Sequence, residues 1–443
     1  MPAGAVGARA GETIGEARAP LLLSLLAVAA IAIAFAISPL MLLRLGVNYD
    51  ETGGSLAAKI HPATYLLAAT FLVRIFLEPR PARFLIAAAG RHGGAMAFLW
   101  AVVVLIAYAA VNLHLPLSPI VDTFLFPILA LIVLDGVDEG NARLLARLVH
   151  AIYAANATLA LFEMASGWRL TPLIAMGIDL LADRRSTALF GHPLGNAMLT
   201  GIYVIALAVG GGRDLPGWMR PMAILLQLTA MVSFGARLAT VTTLGLIGLL
   251  TLRGIGRILA GRRFHIATAA CFLGLLPLLV VALAGAYGAG FFDPLLERFF
   301  VSDNRSAEAR IVMFELIPRF SAFQLLFGPD QDLLHSLMWT EGIEFGIESF
   351  WVSLLLTYGA VPSLLFLVGF GAFCIDLMRH SGKGAIWTMI FFLILVSGSL
   401  SLGGKTLALG ILVIVDLILL RPPSGERSRT AWPCTDSSSP RLH

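Results

Sequence analysis

Apolar residues occur along this chain in long runs, and short segments rich in Gly, Pro and Arg separate the runs. A helix needs about 20 apolar residues to cross a hydrocarbon layer about 30 Å thick. Runs near that length recur along almost the whole chain, which predicts an all-α bundle of membrane-spanning helices. We predict twelve spans, near residues 20-43, 62-77, 94-111, 118-134, 148-165, 189-210, 219-234, 238-252, 264-288, 346-370, 384-400 and 404-420.

The segments outside these runs set the domain layout. Residues 1-19 precede the first span, 20-288 hold spans one to nine, and 346-420 hold spans ten to twelve. Between them, 289-345 form a polar segment of 57 residues, far longer than the other connections. Apolar residues at near-helical spacing after Arg310 predict helices that lie on the membrane surface within it. Residues 421-443, rich in Ser, Pro and Arg, are predicted to be a disordered tail.

Composition supports a membrane protein and excludes several other classes. Hydrophobic residues make up 58% of the chain, charged residues only 13%, and the mean hydropathy is +0.86. A soluble enzyme of this length needs more charged surface. The three cysteines fall in two apolar runs and the tail, which predicts neither a disulfide framework nor a zinc cluster. The formal net charge of +4 comes without a basic stripe, so nucleic acid is not an expected partner.

The distribution of basic residues predicts the orientation. With the N-terminus in the cytoplasm, most of the Lys and Arg residues between the spans fall in inside segments, and far fewer fall in the short outside segments. By the positive-inside rule, both termini are then cytoplasmic and 289-345 lies on the outer, periplasmic face. In the alternative, 219-252 is one long tilted helix and all later loops change sides. We disfavour it because it places the arginines between 253 and 263 outside.

Ionisable residues at the edges of spans are costly in a membrane and are therefore candidates for function. Arg237 lies at the turn between two apolar runs, and Arg310, together with Arg305, lies in the long segment. A guanidinium offers a planar fork of donors that fits a phosphate. Glu348 enters the tenth span and is a candidate general base. The structural alternatives are headgroup contact for the arginines and a solvated carboxylate at a helix start for Glu348.

Two histidines add to this set. His192 opens the sixth span between a Gly and a Pro, where it either orients a substrate hydroxyl or caps the helix. His335, in the long segment, is a second candidate base. Lys405 and Asp122 are charges at span edges without an evident partner. The chain contains no HxxxH, CxxC, phosphate-loop or nucleophile-elbow pattern, so we expect no metal and no cofactor.

Taken in order, several motifs resemble the O-antigen ligase and Wzy-type polymerase superfamily of bacterial envelope glycosyltransferases, over about residues 185-370. The motifs are FGHPLGNA at 190-197, the Ser-x-x-x-Arg turn ending at Arg237, RIVMF from Arg310 followed by Leu326-Phe327-Gly328, and IESFWVSLLLTYG at 347-359. The last motif is similar to the family's His-Asn-x-x-Leu run. Glu348 and Ser349 replace that histidine and asparagine, which favours a polymerase over a ligase.

The resemblance implies an enzyme in the bacterial inner membrane, with its active site facing the periplasm. It would join oligosaccharide repeat units carried on undecaprenyl pyrophosphate into O-antigen or exopolysaccharide, surrounded by membrane lipids and assisted by a chain-length regulator and a flippase. Glu348, Arg237, Arg310 and His335 would be catalytic, and Arg305, His192 and Asn196 would bind substrate. The alternatives are a ligase that transfers polymer to lipid A-core, and a secondary transporter of lipid-linked sugars, although the chain lacks the paired, interrupted spans of transporter repeats.

Overall fold

The computed structural model describes residues 9-49, 55-175, 178-179, 185-261, 288, 311-343, 346-398 and 402-422. Within these residues the protein is a helical bundle, apart from one antiparallel pairing of two-residue strands, β1 (Ile174–Ala175) with β2 (Ile178–Asp179). The predicted ninth span, the tail and the residues Arg305 and Arg310 lie outside the described ranges.

Ten helices precede residue 262 in the described part of the chain. They are α1 (Arg9–Ala36), α2 (Pro39–Arg44), α3 (Pro62–Leu77), α4 (Pro81–Arg91), α5 (Gly93–Leu113), α6 (Ser118–Asp135), α7 (Glu139–Ser166), α8 (Pro193–Ala208), α9 (Met219–Phe234) and α10 (Arg237–Leu259). After residue 310 come α11 (Ala322–Phe327), α12 (Gln331–Thr340), α13 (Phe350–Tyr358), α14 (Ala360–His380), α15 (Ala385–Gly398) and α16 (Ala408–Leu419).

Five of the described helices, α5, α6, α7, α10 and α14, are long and apolar enough to cross a membrane. Six shorter apolar helices of 10 to 17 residues accompany them, within α1, α3, α8, α9, α15 and α16. The bounds of α3 and α9 match the predicted spans, because a Pro or a polar turn limits each apolar run. Helix α7 begins earlier than predicted, since Asp138 caps its polar first turns by accepting a hydrogen bond from the Asn141 amide.

Helices α9 and α10 form a hairpin. Ser233 at the end of α9 accepts a hydrogen bond from the Ser186 amide, and Arg220 at its start reaches the Ala208 carbonyl at the far end of α8. The chain turns at Gly235, and α10 then packs back along α8. The predicted hairpin with Arg237 beside its turn is therefore present, and the alternative single helix over 219-252 is not.

Helices α13 and α14 form a second hairpin, in place of the single span predicted at 346-370. The Phe350 ring lies 6.3 Å from the Phe366 ring and 6.0 Å from the Phe370 ring. Ser363 donates a hydrogen bond across the hairpin to the Leu354 carbonyl. The reversal occurs at Gly359, which has a φ of +85°. An added Cβ at this residue would lie 2.2 Å from the Gly328 amide nitrogen, so only glycine fits.

The α13–α14 hairpin places the first residue of α13 inside the bundle, next to the middle of α14. Phe366 and Phe370 lie about 9 to 15 Å along α14 from its first residue, at 1.5 Å per residue. Trp351, beside Phe350, donates to Ser397 Oγ at the end of α15 (2.7 Å). Helices α15 and α16 have only 14 and 12 residues. Residues 402-407 between them therefore lie inside the bundle, near the level of Phe350, and not beyond Ala360, the first residue of α14.

Candidate functional site

A cavity of about 780 Å³ opens at the end of the bundle where α7 and α9 finish and α8 and α10 begin, hereafter the cavity end. Its volume lies in the range of about 300 to 1,000 Å³ that is usual for small-ligand sites. Polar side chains on the wall come from five separate parts of the chain. They are Ser38, His192, Gln331, His335, Glu348, Ser353, Thr357, Lys405 and Thr406. The rest of the wall is mainly apolar.

Glu348 reaches the cavity from the segment that leads into α13. Gly346, with a φ of +105°, turns the chain, and the buried Ile347 anchors it in an apolar cluster with Val352 and Leu356. Glu348 follows directly and is half-buried. Because α13 begins inside the bundle, this carboxylate joins the cavity wall within the bundle rather than at its end.

His335 lies on α12, which packs on α13 through the same apolar cluster. Asp330 caps α12 by accepting hydrogen bonds from the Asp332 and Leu333 amides (2.9 and 3.3 Å). Gln331 Nε2 donates to the Thr357 carbonyl at 3.2 Å and so fixes α12 against α13. The imidazole of His335 is exposed and lines the cavity. The two candidate bases therefore share one wall.

His192 lies at the N-cap position of α8, with extended backbone angles, and its side chain is exposed on the cavity wall. Gly191 before it has a φ of +81° and packs against Ser38, the N-cap residue of α2: an added Cβ would lie 2.5 Å from Ser38 Oγ. Asn196 is fully buried and does not line the cavity. Its Nδ2 donates to the Thr187 and His192 carbonyls (2.6 and 3.2 Å), so it positions the loop that carries His192.

A buried carboxylate that the sequence analysis missed holds the same loop. Glu163, on α7, is 3% exposed. Its Oε2 accepts hydrogen bonds from the Thr187 and Ala188 amides (both 2.9 Å), and its Oε1 accepts one from the Leu170 amide (2.8 Å). A carboxylate inside a predicted span is costly unless it is satisfied. That cost is the sequence signal by which Glu163 could have been found.

Lys405 is the cation of the cavity wall. Its Nζ donates to the Tyr49 carbonyl at 2.7 Å and lies 3.3 Å from the centre of the Tyr49 ring, in a cation–π contact. The loop that carries it is clamped by Thr123, whose hydroxyl donates to the Gly404 carbonyl and accepts from the Thr406 amide (both 3.1 Å). Tyr49 is a partner that the sequence left unassigned for this charge.

Asp122 completes this network behind the wall. It is fully buried in the π-helical part of α6, and it accepts hydrogen bonds from the Tyr49 hydroxyl (2.8 Å), the Thr64 hydroxyl (2.7 Å) and the His61 amide (3.0 Å). Burial lowers the pKa of the His61 imidazole, and the Lys405 charge adds to this effect. The buried Asp122 carboxylate is thus linked through Tyr49 to the Lys405 ammonium group on the cavity wall.

Arg237 lies at the cavity end but outside the cavity wall. It is the first residue of α10 and is exposed. Arg185 packs on the adjoining turn, where its Cδ would lie 3.2 Å from a Cβ at Gly235. Of the site residues predicted from the sequence, Glu348, His335 and His192 share one cavity, Asn196 and Arg237 flank it, and Arg305 and Arg310 lie outside the described residues.

Comparison with known proteins adds no relative, because no family model, no curated protein and no solved structure matches this chain. Chemical interpretation therefore depends on the cavity itself. A carboxylate and two imidazoles can accept or donate protons, and the ammonium group can bind an anion. The mainly apolar wall strengthens these electrostatic interactions, because it keeps the local dielectric low.

Proposed function

We propose that this membrane protein is a glycosyltransferase that joins oligosaccharide units carried on a polyprenyl pyrophosphate. The observation that supports it is the convergence of Glu348, His335 and His192 with Lys405 on one cavity of about 780 Å³. The substrate combines a sugar with an anionic lipid headgroup, and this wall offers proton-transfer groups beside a cation. In this proposal the chain has twelve spans, with the long segment between 289 and 345 at the cavity end.

The proposed reaction is a displacement at the anomeric carbon of the donor. The hydroxyl oxygen of an acceptor sugar forms the new bond, and its proton passes to the Glu348 carboxylate. The bond between the anomeric carbon and the pyrophosphate oxygen breaks, and polyprenyl pyrophosphate leaves with the bonding electrons. Lys405 stabilises the negative charge that develops on this leaving group. His192 orients the acceptor, and His335 is the alternative base.

Lys405 takes the phosphate-binding role that the sequence suggested for Arg237 and Arg310. Arg237 and Arg185 lie at the rim, where they attract the anionic headgroup before it enters. A polymerase needs a donor and an acceptor that are each linked to their own carrier-lipid molecule. Glu348 lies within the bundle, which suits a lipid-linked substrate that enters between the helices from the membrane.

The distribution of basic residues supports an outward-facing cavity. Among the described residues, the end opposite to the cavity, hereafter the distal end, carries Arg74, Arg80, Arg83, Arg91, Arg143, Arg147, Arg213, Arg220, Arg253, Arg257, Arg379, Lys383 and Arg421. The cavity end carries Arg44, Lys59, Arg169, Arg185, Arg237, Arg319 and Lys405. By the positive-inside rule the distal end is cytoplasmic, and in a bacterial inner membrane the cavity would face the periplasm.

A secondary transporter of lipid-linked sugars is the second candidate, and the helix geometry favours it more than the sequence did. Helices α13 and α16 are short and begin near Glu348 and Lys405 inside the bundle, and the short α15 ends on the same side, as the broken helices of transporters do around a substrate site. A ligase that moves finished polymer to a lipid A-core acceptor would use the same chemistry with a different acceptor.

Reconstitution separates the three candidates. The purified protein in liposomes is given polyprenyl-pyrophosphate-linked repeat units alone, and the products are separated by size. A ladder of polymer supports the polymerase, and its absence overturns that proposal. Transfer that occurs only after a lipid A-core acceptor is added would indicate the ligase. Movement of intact substrate between leaflets, without new bonds, would indicate the transporter.

The Lys405→Ala variant tests the cavity directly. We expect a loss of about 100-fold or more in turnover, typical of removing a group that stabilises transition-state charge. Lys59→Ala is the matched control, because Lys59 lies at the same end, donates to Asn48 Oδ1 and does not line the cavity. Normal turnover in Lys405→Ala would remove the proposed site. Gel filtration and thermal unfolding of both variants check that each is folded.

A further inference from the structure

The distal end contains a second cluster of chemically capable side chains. His92 lies between α4 and α5, and Asp376 and His380 occupy one face of α14, four residues apart. Each of the three offers one ligand atom, and these atoms lie within 4.8 Å of one another. Two imidazoles and a carboxylate are a donor set that zinc and neighbouring transition metals bind, whereas magnesium and calcium prefer oxygen donors alone.

The burial of this cluster is unusual for a set of polar groups. His92 is 2% exposed and Asp376 is 4% exposed. His92 Nδ1 is buried and has no hydrogen-bond partner among the described residues. A buried polar atom without a partner is costly unless a water or an ion satisfies it. The side chain of His380 is 20% exposed, which leaves a path from solvent to the cluster.

The groups around the cluster hold it in a geometry suited to a cation. Asp376 Oδ2 accepts a hydrogen bond from the Ala95 amide (2.9 Å), and His380 Nδ1 lies 3.1 Å from Asp376 Oδ1 and 2.9 Å from the Asp376 carbonyl oxygen. Because a carbonyl oxygen only accepts, His380 Nδ1 carries a proton, and Nε2 is the nitrogen left to bind an ion. On its other side, His92 Nε2 lies 3.6 Å from Asp135 Oδ2. Histidines that bind metals commonly point their second nitrogen at such a carboxylate.

We propose that His92, Asp376 and His380 bind a divalent transition-metal ion of the zinc class, with Asp135 as the positioning residue for His92. The ion would tie α14 to the start of α5 at the cytoplasmic end, far from the cavity. This site does not depend on the proposed glycosyl transfer, since its ligands and its readout are separate.

Direct metal binding tests the site. The full-length protein, purified without a polyhistidine tag and stripped with a chelator, is titrated with Zn²⁺, and bound metal is measured by mass spectrometry. We expect one ion per chain. His380→Ala and Asp376→Asn should each weaken binding by tenfold or more, and Asp135→Asn by about 10- to 100-fold. His114→Ala is the control, because His114 is exposed and outside the cluster; it should bind Zn²⁺ like the wild type.

Two results would overturn the site. One is the lack of stoichiometric Zn²⁺ in the wild type, which would mean that the histidines and carboxylates form only ion pairs. The other is wild-type binding in both ligand variants. If the variants do not fold, Co²⁺ replaces Zn²⁺ in the wild type: visible absorption bands of a site with nitrogen and oxygen ligands support the proposal, and their absence refutes it.

Discussion

Phe350 packs against Phe366, with the two ring centres 6.3 Å apart, although a continuous helix would separate these residues by about 24 Å. The chain therefore reverses between them, and Gly359 makes the reversal. This one relationship sets the depth of the candidate site, because α13 starts inside the bundle and carries Glu348 with it. Without the reversal, Glu348 would lie at the end of the bundle.

Replacement of Gly359 by alanine tests the hairpin. Its φ of +85° and ψ of 165° are nearly restricted to glycine, and a side chain there costs about 1 to 3 kcal/mol before any clash. The added Cβ also meets the Gly328 amide nitrogen at 2.2 Å. We expect a lower midpoint of thermal unfolding in detergent and reduced turnover.

Gly371→Ala is the matched control for this variant. Gly371 lies within α14, and an added Cβ would contact nothing within 4 Å. Alanine favours a helix by about 1 kcal/mol over glycine, so its stability should stay equal or rise. Equal stability in Gly359→Ala and the wild type would contradict the reversal at Gly359.

Much of the fold follows from apolar run length. The bounds of α3 and α9, and the hairpin beside Arg237, could be predicted because Pro62, Gly235 and polar turns interrupt the apolar pattern there. The α13–α14 reversal was missed, because both of its arms are apolar and the run from 346 to 370 was interpreted as one span. The signal that could have located it is Gly359 followed by Pro362, since proline is unfavourable inside a helix.

The candidate site could be predicted only in part, because its residues come from distant parts of the chain. Glu348, His335 and His192 were chosen as ionisable residues near span edges, and the fold places all three on one cavity. Lys405 had no evident role, since its partner Tyr49 lies 356 positions away in the sequence. Arg237 was chosen because it is a charged residue at a turn, yet it lies outside the cavity wall. Tertiary packing decides which side of a turn faces a cavity, and the sequence does not show it.

Glu348 and His335 are alternative bases, and paired variants distinguish them. Loss of a general base reduces turnover by about 100- to 10,000-fold. We expect this loss in Glu348→Gln, and a change of less than about tenfold in His335→Gln. Turnover is measured as polymer formed by reconstituted protein.

Glu341→Gln is the control for the Glu348 variant. Glu341 lies seven residues before Glu348, pairs with Arg319 at 3.5 Å and does not line the cavity. Its variant should retain normal turnover. The reverse pattern, with normal activity in Glu348→Gln and loss in His335→Gln, would transfer the role of base to His335.

Removal of Glu163 should unlock the loop that carries His192. In Glu163→Ala, the Thr187, Ala188 and Leu170 amides lose their acceptor, and the first two are fully buried. Each buried amide without a partner costs about 1 to 3 kcal/mol, so unfolding should become easier by about 3 kcal/mol or more.

Glu139→Ala provides the comparison, because Glu139 is on the same helix with its side chain 60% exposed in an ion pair with Arg143. Such surface pairs contribute little, and the change should stay within about 0.5 kcal/mol. Both are measured as shifts in the unfolding midpoint. Similar shifts in the two variants would show that Glu163 does not hold the loop.

The stability of the cavity end should depend on pH through His61. Burial lowers the pKa of this imidazole below 6.5, against the raising effects of the Ile37 carbonyl and Asp122. The folded state thus takes up the proton at lower pH than the unfolded state does. The contribution of His61 to the free energy of unfolding is fully present above pH 6.5. It is lost as the pH falls from there towards the lowered pKa of His61 in the folded state.

His61→Asn tests this dependence. His61 Nδ1 accepts the Ala63 amide at the start of α3, and asparagine can keep that cap without titrating. Between about pH 7.5 and about pH 5.5, the unfolding midpoint of the wild type should fall further than that of His61→Asn. His114→Asn, a change at an exposed histidine, should follow the wild type. Parallel curves for the wild type and His61→Asn would mean that the buried imidazole does not couple protonation to the packing beside Asp122 and Lys405.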